Sequence, residues 1–132
     1  MKSDKLIYFA SPYSSKNPAS DVKLFEENYR YERVMSIAAY HMRLGVHVFS
    51  PIVHCHPMAC KFGLPKDWEY WQTYLKLMLA RCDELWVVML DGWKESVGVQ
   101  AEIDLAVELG IGIKYVVVDS FQDYMKNTLD IS

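Results

Sequence analysis

The stretch Glu84-Leu85-Trp86-Val87-Val88-Met89-Leu90 is apolar at every position after its first residue. An almost continuous apolar run of this length is typical of a β-strand whose two sheet faces are both covered by helices. It ends at Asp91-Gly92, a turn signal. On both sides of this strand, helical and strand patterns alternate along the chain, which predicts βαβ units and a parallel sheet.

The remaining elements follow from periodicity and from helix start and stop signals. Further strands are predicted at residues 6–10, 46–49 and 115–118, and helices at 20–44 (with Ser20 as N-cap), 67–80, from about 94 to Gly110 or Gly112, and near 121–129. Residues 52–66 contain two prolines and a glycine and are predicted to form a loop. We therefore predict one α/β domain over residues 1–132, a flavodoxin-like (Rossmann-like) three-layer sandwich with a parallel sheet of four to five strands.

Composition narrows the class of function. The net charge is −3 with both signs mixed along the chain, which argues against a nucleic-acid or anionic-membrane partner. We find neither a signal peptide nor an apolar stretch of the ~18 residues that a membrane span needs. The three cysteines form no CxxC pair and are expected to stay reduced, so we expect a cytoplasmic protein.

The carboxyl ends of the predicted strands also indicate where a ligand binds. In open α/β sheets the ligand lies beyond the carboxyl ends of the strands, and three predicted strand ends carry turn or polar residues, namely Ser11-Pro12-Tyr13, Ser50-Pro51 and Asp91-Gly92. We expect substrate contacts from Ser11, Pro12, Ser14, Gly92 and Trp93. Trp93 is the better candidate to stack on a base, whereas Asp91 either hydrogen-bonds ribose hydroxyls or caps its loop.

Glu102 is unusual on the helix that follows. At 100° per residue it falls on the same side as Val99 and Ala106, whereas Asp104 and Glu108 fall together on the opposite side. A carboxylate that faces the sheet is unfavourable unless it is paired or hydrogen-bonded. Either a tyrosine hydroxyl or backbone donors satisfy Glu102, or it is a nucleophile or acid/base placed near a cleft.

Other side chains leave alternatives open. Ser96 and Gly98 lie near the first free N–H groups of that helix, where a phosphate or a sugar hydroxyl can bind. His54 and His56 lie near Cys55 and Cys60, but the spacing matches no common zinc module, so we expect no metal and no other cofactor. These histidines either donate hydrogen bonds to base or sugar, or belong to a turn. For Arg30 the alternatives are a phosphate contact or a solvated helix face, and for Trp68 and Trp71 they are base stacking or packing.

Taken together, four segments resemble the nucleoside 2-deoxyribosyltransferase-like superfamily, and more closely its small bacterial and phage branch, which is related to nucleoside monophosphate N-glycosidases. The segments are residues 7–14 (IYFASPYS), residues 48–57 with His54 and His56, residues 82–88 (CDELWVV), and residues 91–106 with Ser96, Gly98 and Glu102. They follow in order over most of the chain. The resemblance implies a flavodoxin-like fold, a site often built at the boundary of a homodimer or higher homo-oligomer, and chemistry at a nucleoside N-glycosidic bond.

The resemblance also implies roles for particular residues. Glu102 matches the glutamate that attacks the anomeric carbon, Tyr13 matches an aromatic residue whose hydroxyl orients that glutamate, and Ser96 matches the position that contacts the 5′ end of the sugar. A serine there favours a monophosphate substrate and, slightly, hydrolysis over transfer. Related sequences usually carry an aspartate that helps the base to leave, at the position where this chain has Leu75. The candidates for this catalytic role in its place are Asp67, Glu69 and Asp91, although none lies at the matching position. The leading hypothesis is thus a nucleotide N-glycosidase or nucleoside deoxyribosyltransferase. The alternatives are a non-catalytic nucleotide-binding module that uses the same cleft, and a structural protein.

Overall fold

The computed structural model describes residues 4–118, which form a parallel sheet flanked by helices. The elements are β1 (Leu6–Ala10), α1 (Ser20–Arg43), β2 (His47–Phe49), α2 (Pro51–Phe62), α3 (Trp68–Ala80), β3 (Glu84–Val88), α4 (Val97–Leu109) and β4 (Gly112–Val116). The predicted α/β class and flavodoxin-like three-layer architecture are confirmed. No helix within residues 4–118 is both long and apolar enough to cross a membrane.

The four strands within residues 4–118 lie in the order β2-β1-β3-β4, and every neighbouring pair is parallel. The register between the two central strands pairs Ile7 with Glu84 and Ala10 with Val87. After β1 the chain moves to one side of the sheet, and after β3 it moves to the other. The crevice between the carboxyl ends of β1 and β3 is therefore the topological switch point, where sheets of this kind bind their ligands.

Alternate residues of β1 point to opposite faces of the sheet and build two apolar cores. Tyr8 and Ala10 face α3 and α4, in a core completed by Leu79, Cys82, Leu85, Val87, Val99 and Ala106. Ile7 and Phe9 face α1 and the start of α2, in a core completed by Val34, Ala38, Ile52, Val88 and Leu90. The strands of the central layer are thus covered on both sides, as the apolar run in β3 predicted.

The prediction of a loop over residues 52–66 is wrong, because residues 51–62 form helix α2. Ser50 is its N-cap and accepts a hydrogen bond from the Val53 N–H at 3.3 Å, and Pro51 occupies the first turn, where a missing N–H costs nothing. Gly63 ends the helix in the left-handed conformation, at φ 70°. Pro57 lies inside the helix, so burial of one helix face outweighs its unfavourable effect.

Smaller differences concern the ends of elements. The N-cap of α1 is Ala19, not Ser20, and it makes no side-chain cap. Helix α4 begins at Val97, three residues later than predicted, where the Ser96 hydroxyl accepts from the Val99 N–H at 3.2 Å. Strand β4 begins at Gly112 and ends at Val116, earlier than the predicted 115–118. The helix predicted near residues 121–129 lies outside the described residues.

The two serines give a matched test of the capping assignment. We expect Ser50→Ala to lower the free energy of unfolding by about 1 kcal/mol, because the first turn of α2 loses its side-chain acceptor. Ser20→Ala is expected to change it by less than about 0.5 kcal/mol, since this exposed serine caps nothing. Urea unfolding of both variants provides the measurement, and equal losses would contradict the assignment.

Candidate functional site

Glu102 lies in the second turn of α4 and points towards the sheet. Only 5% of its surface is exposed, and the neighbours on its side of the helix, Val99 and Ala106, are fully buried. Asp104 and Glu108 are exposed on the other side. The helix therefore buries one carboxyl group and leaves two in water, as its periodicity predicted.

The partner of the buried carboxyl group is Tyr8 of β1, whose hydroxyl donates to Glu102 Oε2. Burial raises the pKa of Glu102 to about 8, and the hydrogen bond from Tyr8 opposes part of this rise. The pKa of Tyr8 is also raised, first by its own burial and then by the charge of Glu102. At neutral pH the carboxyl group is therefore mostly protonated, and it loses its proton as the pH rises through about 8.

Glu102 borders a cavity of about 480 Å³ at the carboxyl ends of β1 and β3. The loop after β1, one face of α2, the start of α3 and the start of α4 supply the lining: Phe9, Ser11, Tyr13, Ser14, Lys16, Pro51, Ile52, Cys55, His56, Ala59, Lys66, Asp67, Trp68, Glu69, Trp71, Leu75, Ser96, Val97, Gly98 and Glu102. Its volume and largely apolar, aromatic wall with a few polar groups are typical of small-molecule sites.

The structure brings together more than half of the residues that were predicted from the sequence to form the site. Ser11, Tyr13, Ser14, His56, Ser96, Gly98 and Glu102 all line the cavity. The last three come from one segment, because Ser96 is the N-cap of α4, Gly98 lies in its first turn and Glu102 in its second. The switch point of the sheet and the start of α4 thus meet at one place.

Five predicted residues lie outside the lining. Pro12 is fully buried, and His54 is exposed on α2, where its ring lies near those of Phe49 and Tyr74. The side chain of Trp93 packs on the α3–α4 core and lies 5.7 Å from the Tyr115 ring, so it is not available to stack on a ligand in this cavity. Asp91 and Gly92 are the other two.

Asp91 and Gly92 are held by Arg30 of α1. The Arg30 guanidinium donates to the carbonyl oxygens of Tyr13 (3.1 Å), Ser14 (2.8 Å) and Asp91 (3.4 Å). A Cβ atom at Gly92 would lie 2.8 Å from the same guanidinium, and the residue has φ 94°. Arg30 thereby ties the loop after β1 to the loop after β3, a structural role rather than the phosphate contact or solvated face considered from the sequence.

The expected contact between Tyr13 and Glu102 is also corrected, because Tyr8 provides the hydroxyl. The Tyr13 hydroxyl instead bonds to Nδ1 of His56, whose Nε2 lies 2.8 Å from Oδ1 of Asn28. His56 is 5% exposed and reaches this position only because α2 is a helix. Ile52, Cys55, His56 and Ala59 share its buried face, and this i, i+3, i+4, i+7 spacing was the missed signal.

Leu75 lies in the lining, at the position where related sequences usually carry an aspartate. Leu75 is buried and apolar, so it has no proton to donate to a departing base. Two carboxyl groups near the start of α3, those of Asp67 and Glu69, border the cavity instead and are exposed. Asp91, the third substitute considered from the sequence, lies outside the lining.

Trp68 and Trp71 are lining residues whose role the sequence left open. The Trp68 ring lies so close to α4 that a Cβ atom at Gly98 would be 3.2 Å from it, so only glycine allows this approach without a shift. The Trp71 indole N–H donates to the Pro65 carbonyl at 2.7 Å, which leaves its ring at the cavity wall.

Two lysines provide positive charge at the cavity. Lys16 and Lys66 line it, and Lys66 Nζ lies 3.4 Å from Oε1 of Glu27, which is 1% exposed. The other Glu27 oxygen accepts from the Ser15 N–H at 3.1 Å. Within residues 4–118 no three histidine, cysteine or acidic side chains are grouped to hold a metal ion.

Fold and site together define a flavodoxin-like α/β protein with a ligand-sized cavity at its topological switch point and a buried carboxyl group in the cavity wall. The chain belongs to the family described as Domain of unknown function (DUF1937), whose model matches residues 5–118. That range includes every strand, every helix and the whole lining described above. A search of curated proteins finds no match.

Proposed function

We propose that this protein cleaves or exchanges the N-glycosidic bond of a nucleoside 5′-monophosphate or nucleoside, with Glu102 as the nucleophile. The observation that supports this most directly is the position of Glu102: a buried carboxyl group, hydrogen-bonded to Tyr8, in the wall of a cavity at the switch point. The resemblance of residues 7–14, 48–57, 82–88 and 91–106 to nucleoside 2-deoxyribosyltransferase-like proteins supports the same chemistry.

The reaction proceeds in two displacements. The Glu102 carboxylate attacks the anomeric carbon, a glycosyl ester forms, and the bond to the base nitrogen breaks with its electron pair going to the base. Water or a second base then attacks the same carbon, gives up one proton to the departed base, and releases the carboxylate. Splitting the displacement in this way lowers the barrier of each step, since the developing oxocarbenium charge lies next to a carboxylate. The hydrogen bond from Tyr8 stabilises the anion that attacks.

The other lining residues fit the parts of such a substrate. The rings of Trp68 and Trp71 provide flat apolar surface for a base. A phosphate or sugar hydroxyl fits the start of α4, where Ser96 and Gly98 lie. Lys16 and Lys66 also line the cavity and provide positive charge for a phosphate. Ser96 is small and neutral, which leaves room for a 5′-monophosphate. By the resemblance to nucleoside 2-deoxyribosyltransferase-like proteins, a serine at this position also favours hydrolysis over transfer.

Assembly and location complete the proposal. We propose a homodimer or higher homo-oligomer that works in the cytoplasm on a small-molecule substrate without metal or redox cofactor. All three cysteines are free thiols, which accords with a reducing compartment.

A second candidate function is a nucleotide-binding module without turnover. The specific observation in its favour is the apolar Leu75 where an acid would assist departure of the base, together with a Glu102 that is mostly protonated at neutral pH. Such a module would use the same cavity and the same phosphate contacts.

Incubation of the purified protein with a panel of nucleosides and nucleoside monophosphates separates the two functions. We expect chromatography to show free base from at least one monophosphate, with less from the matching nucleoside. Thermal stabilisation by nucleotides without any free base between pH 6 and 9 would overturn the catalytic proposal and support the binding module. If nucleotides cause neither base release nor thermal stabilisation, both the catalytic function and the binding function are contradicted.

A further inference from the structure

Asn28, His56 and Tyr13 form a hydrogen-bonded chain that ends at the cavity. Both nitrogens of the buried His56 ring have a partner: Nδ1 bonds to the Tyr13 hydroxyl, and Nε2 lies 2.8 Å from Asn28 Oδ1. Cys60 Sγ is almost equally far from the two nitrogens, at 3.6 and 3.5 Å, and so is paired with neither alone. Tyr13 and His56 both line the cavity that Glu102 also borders.

The direction of each hydrogen bond follows from the chemistry of Asn28. A side-chain amide oxygen only accepts, so Nε2 of His56 must carry a hydrogen atom. A neutral imidazole then has its lone pair on Nδ1, and the Tyr13 hydroxyl must donate to it. Burial and the charge of Lys66 lower the pKa of His56, while Glu27 and Glu32 oppose this in part, which favours the neutral ring.

We propose that the Asn28–His56–Tyr13 chain makes the Tyr13 hydroxyl oxygen a hydrogen-bond acceptor at the cavity wall, so that the site selects ligands with an N–H or O–H group directed at it. Asn28 and His56 are positioning residues in this arrangement, and Tyr13 touches the ligand. The identity of the ligand as a nucleotide rests on the proposed function, whereas the polarity of Tyr13 does not.

Selectivity follows because a phenol has a single proton. While that proton is engaged in the hydrogen bond to His56 Nδ1, the Tyr13 oxygen offers only lone pairs to a ligand. An amino or hydroxyl group of a ligand satisfies them, whereas a ligand carbonyl or ring nitrogen in the same place is left unpaired. Recognition by such a polar group discriminates between ligands far more strongly than apolar contact does.

The polarity can be read without any ligand. We expect the ¹⁵N chemical shifts of the His56 ring in the full-length protein at pH 7 to be those of a neutral imidazole with hydrogen on Nε2. Hydrogen on Nδ1 would overturn the proposal, because the Tyr13 hydroxyl would then be free to donate to a ligand.

Asn28→Asp tests the role of the chain. A carboxylate at this position still accepts from Nε2, but its charge stabilises the imidazolium and raises the His56 pKa. Nδ1 then donates to Tyr13, whose own proton turns towards the cavity. Asn17→Asp is the matched control, because it adds the same charge on an exposed loop where Asn17 Oδ1 accepts from the Ala19 N–H. An unchanged His56 titration in Asn28→Asp would contradict the positioning role.

Ligand binding provides the last test, read as dissociation constants for matched nucleotides. Adenosine 5′-monophosphate is compared with purine riboside 5′-monophosphate, which lacks the amino group, and with 2′-deoxyadenosine 5′-monophosphate. Each comparison removes one donor from the ligand, either the amino group of the base or the 2′-hydroxyl of the sugar. For one of these two donors we expect its removal to weaken binding about tenfold in the wild type and to have no such effect in Tyr13→Phe. The absence of coupling in both pairs would overturn the recognition role. If no nucleotide binds, the proposed function and the recognition role both fail, while the nitrogen shifts still decide the polarity.

Discussion

Replacing Glu102 by glutamine is expected to reduce the rate of base release by ~10⁴-fold or more, which is the scale seen when a covalent nucleophile is removed. Glutamine is close to Glu102 in shape and can still accept the hydrogen bond from Tyr8, so the cavity wall is preserved. A neutral amide does not attack the anomeric carbon, because it lacks the charge and the nucleophilic lone pair of a carboxylate. Nucleotide binding, read by thermal shift, is expected to persist.

Glu108→Gln is the matched control, because Glu108 lies on the same helix and is exposed. It is expected to release base at the wild-type rate. The wild-type rate itself is expected to rise with pH through about 8 and to level off above it, since the attacking carboxylate forms only as the buried group loses its proton. A Glu102→Gln variant that keeps more than a tenth of the wild-type activity would contradict the role of Glu102 as nucleophile.

The same substitution is expected to stabilise the fold at alkaline pH. The pKa of Glu102 is raised from an ordinary 4.5 to about 8 in the folded protein, so between these values the folded state holds a proton that the unfolded state has lost. The stability that this protonated group provides is complete below about pH 4.5 and is lost as the pH rises through 8. Glutamine does not titrate, so the variant avoids this loss.

Urea unfolding at several pH values measures the difference. At pH 4 the two proteins are expected to unfold at nearly the same denaturant concentration, whereas at pH 8 Glu102→Gln is expected to be more stable by roughly 4 kcal/mol. Other titrating groups, including His56, are present in both proteins and cancel in the comparison. Parallel stability curves across this range would show that the buried carboxyl group is not protonated in the fold.

Glu102→Gln is thus expected to lose activity and to gain stability at alkaline pH. A carboxyl group that lowers stability near neutral pH and borders a ligand-sized cavity has the character of a functional group rather than of a packing residue. The Tyr8 hydroxyl donates a hydrogen bond to Glu102 but carries no opposite charge. The hydrogen bond expected on the structural interpretation therefore coexists with the position at a cavity expected on the functional one.

Helix α2 shows where local signals mislead. Pro57, Gly63 and Pro65 predicted a loop, but the Ser50-Pro51 pair was a helix start and Gly63 a helix end. Pro57 is tolerated because residues 52, 55, 56 and 59 form one buried face. That helix carries His56 to the cavity and leaves His54 exposed, which an extended loop would not have predicted.

The sequence by itself determined the α/β class, three of the four long helices, the strands and the burial of Glu102, because the spacing of apolar residues depends only on local geometry. Only the tertiary structure decided that Tyr8 rather than Tyr13 contacts Glu102, that Trp93 packs against the α3–α4 core, and that Trp68 lies against Gly98. Each of these contacts joins residues distant in the chain, and which of them meet depends on strand register and on how the helices pack across the sheet.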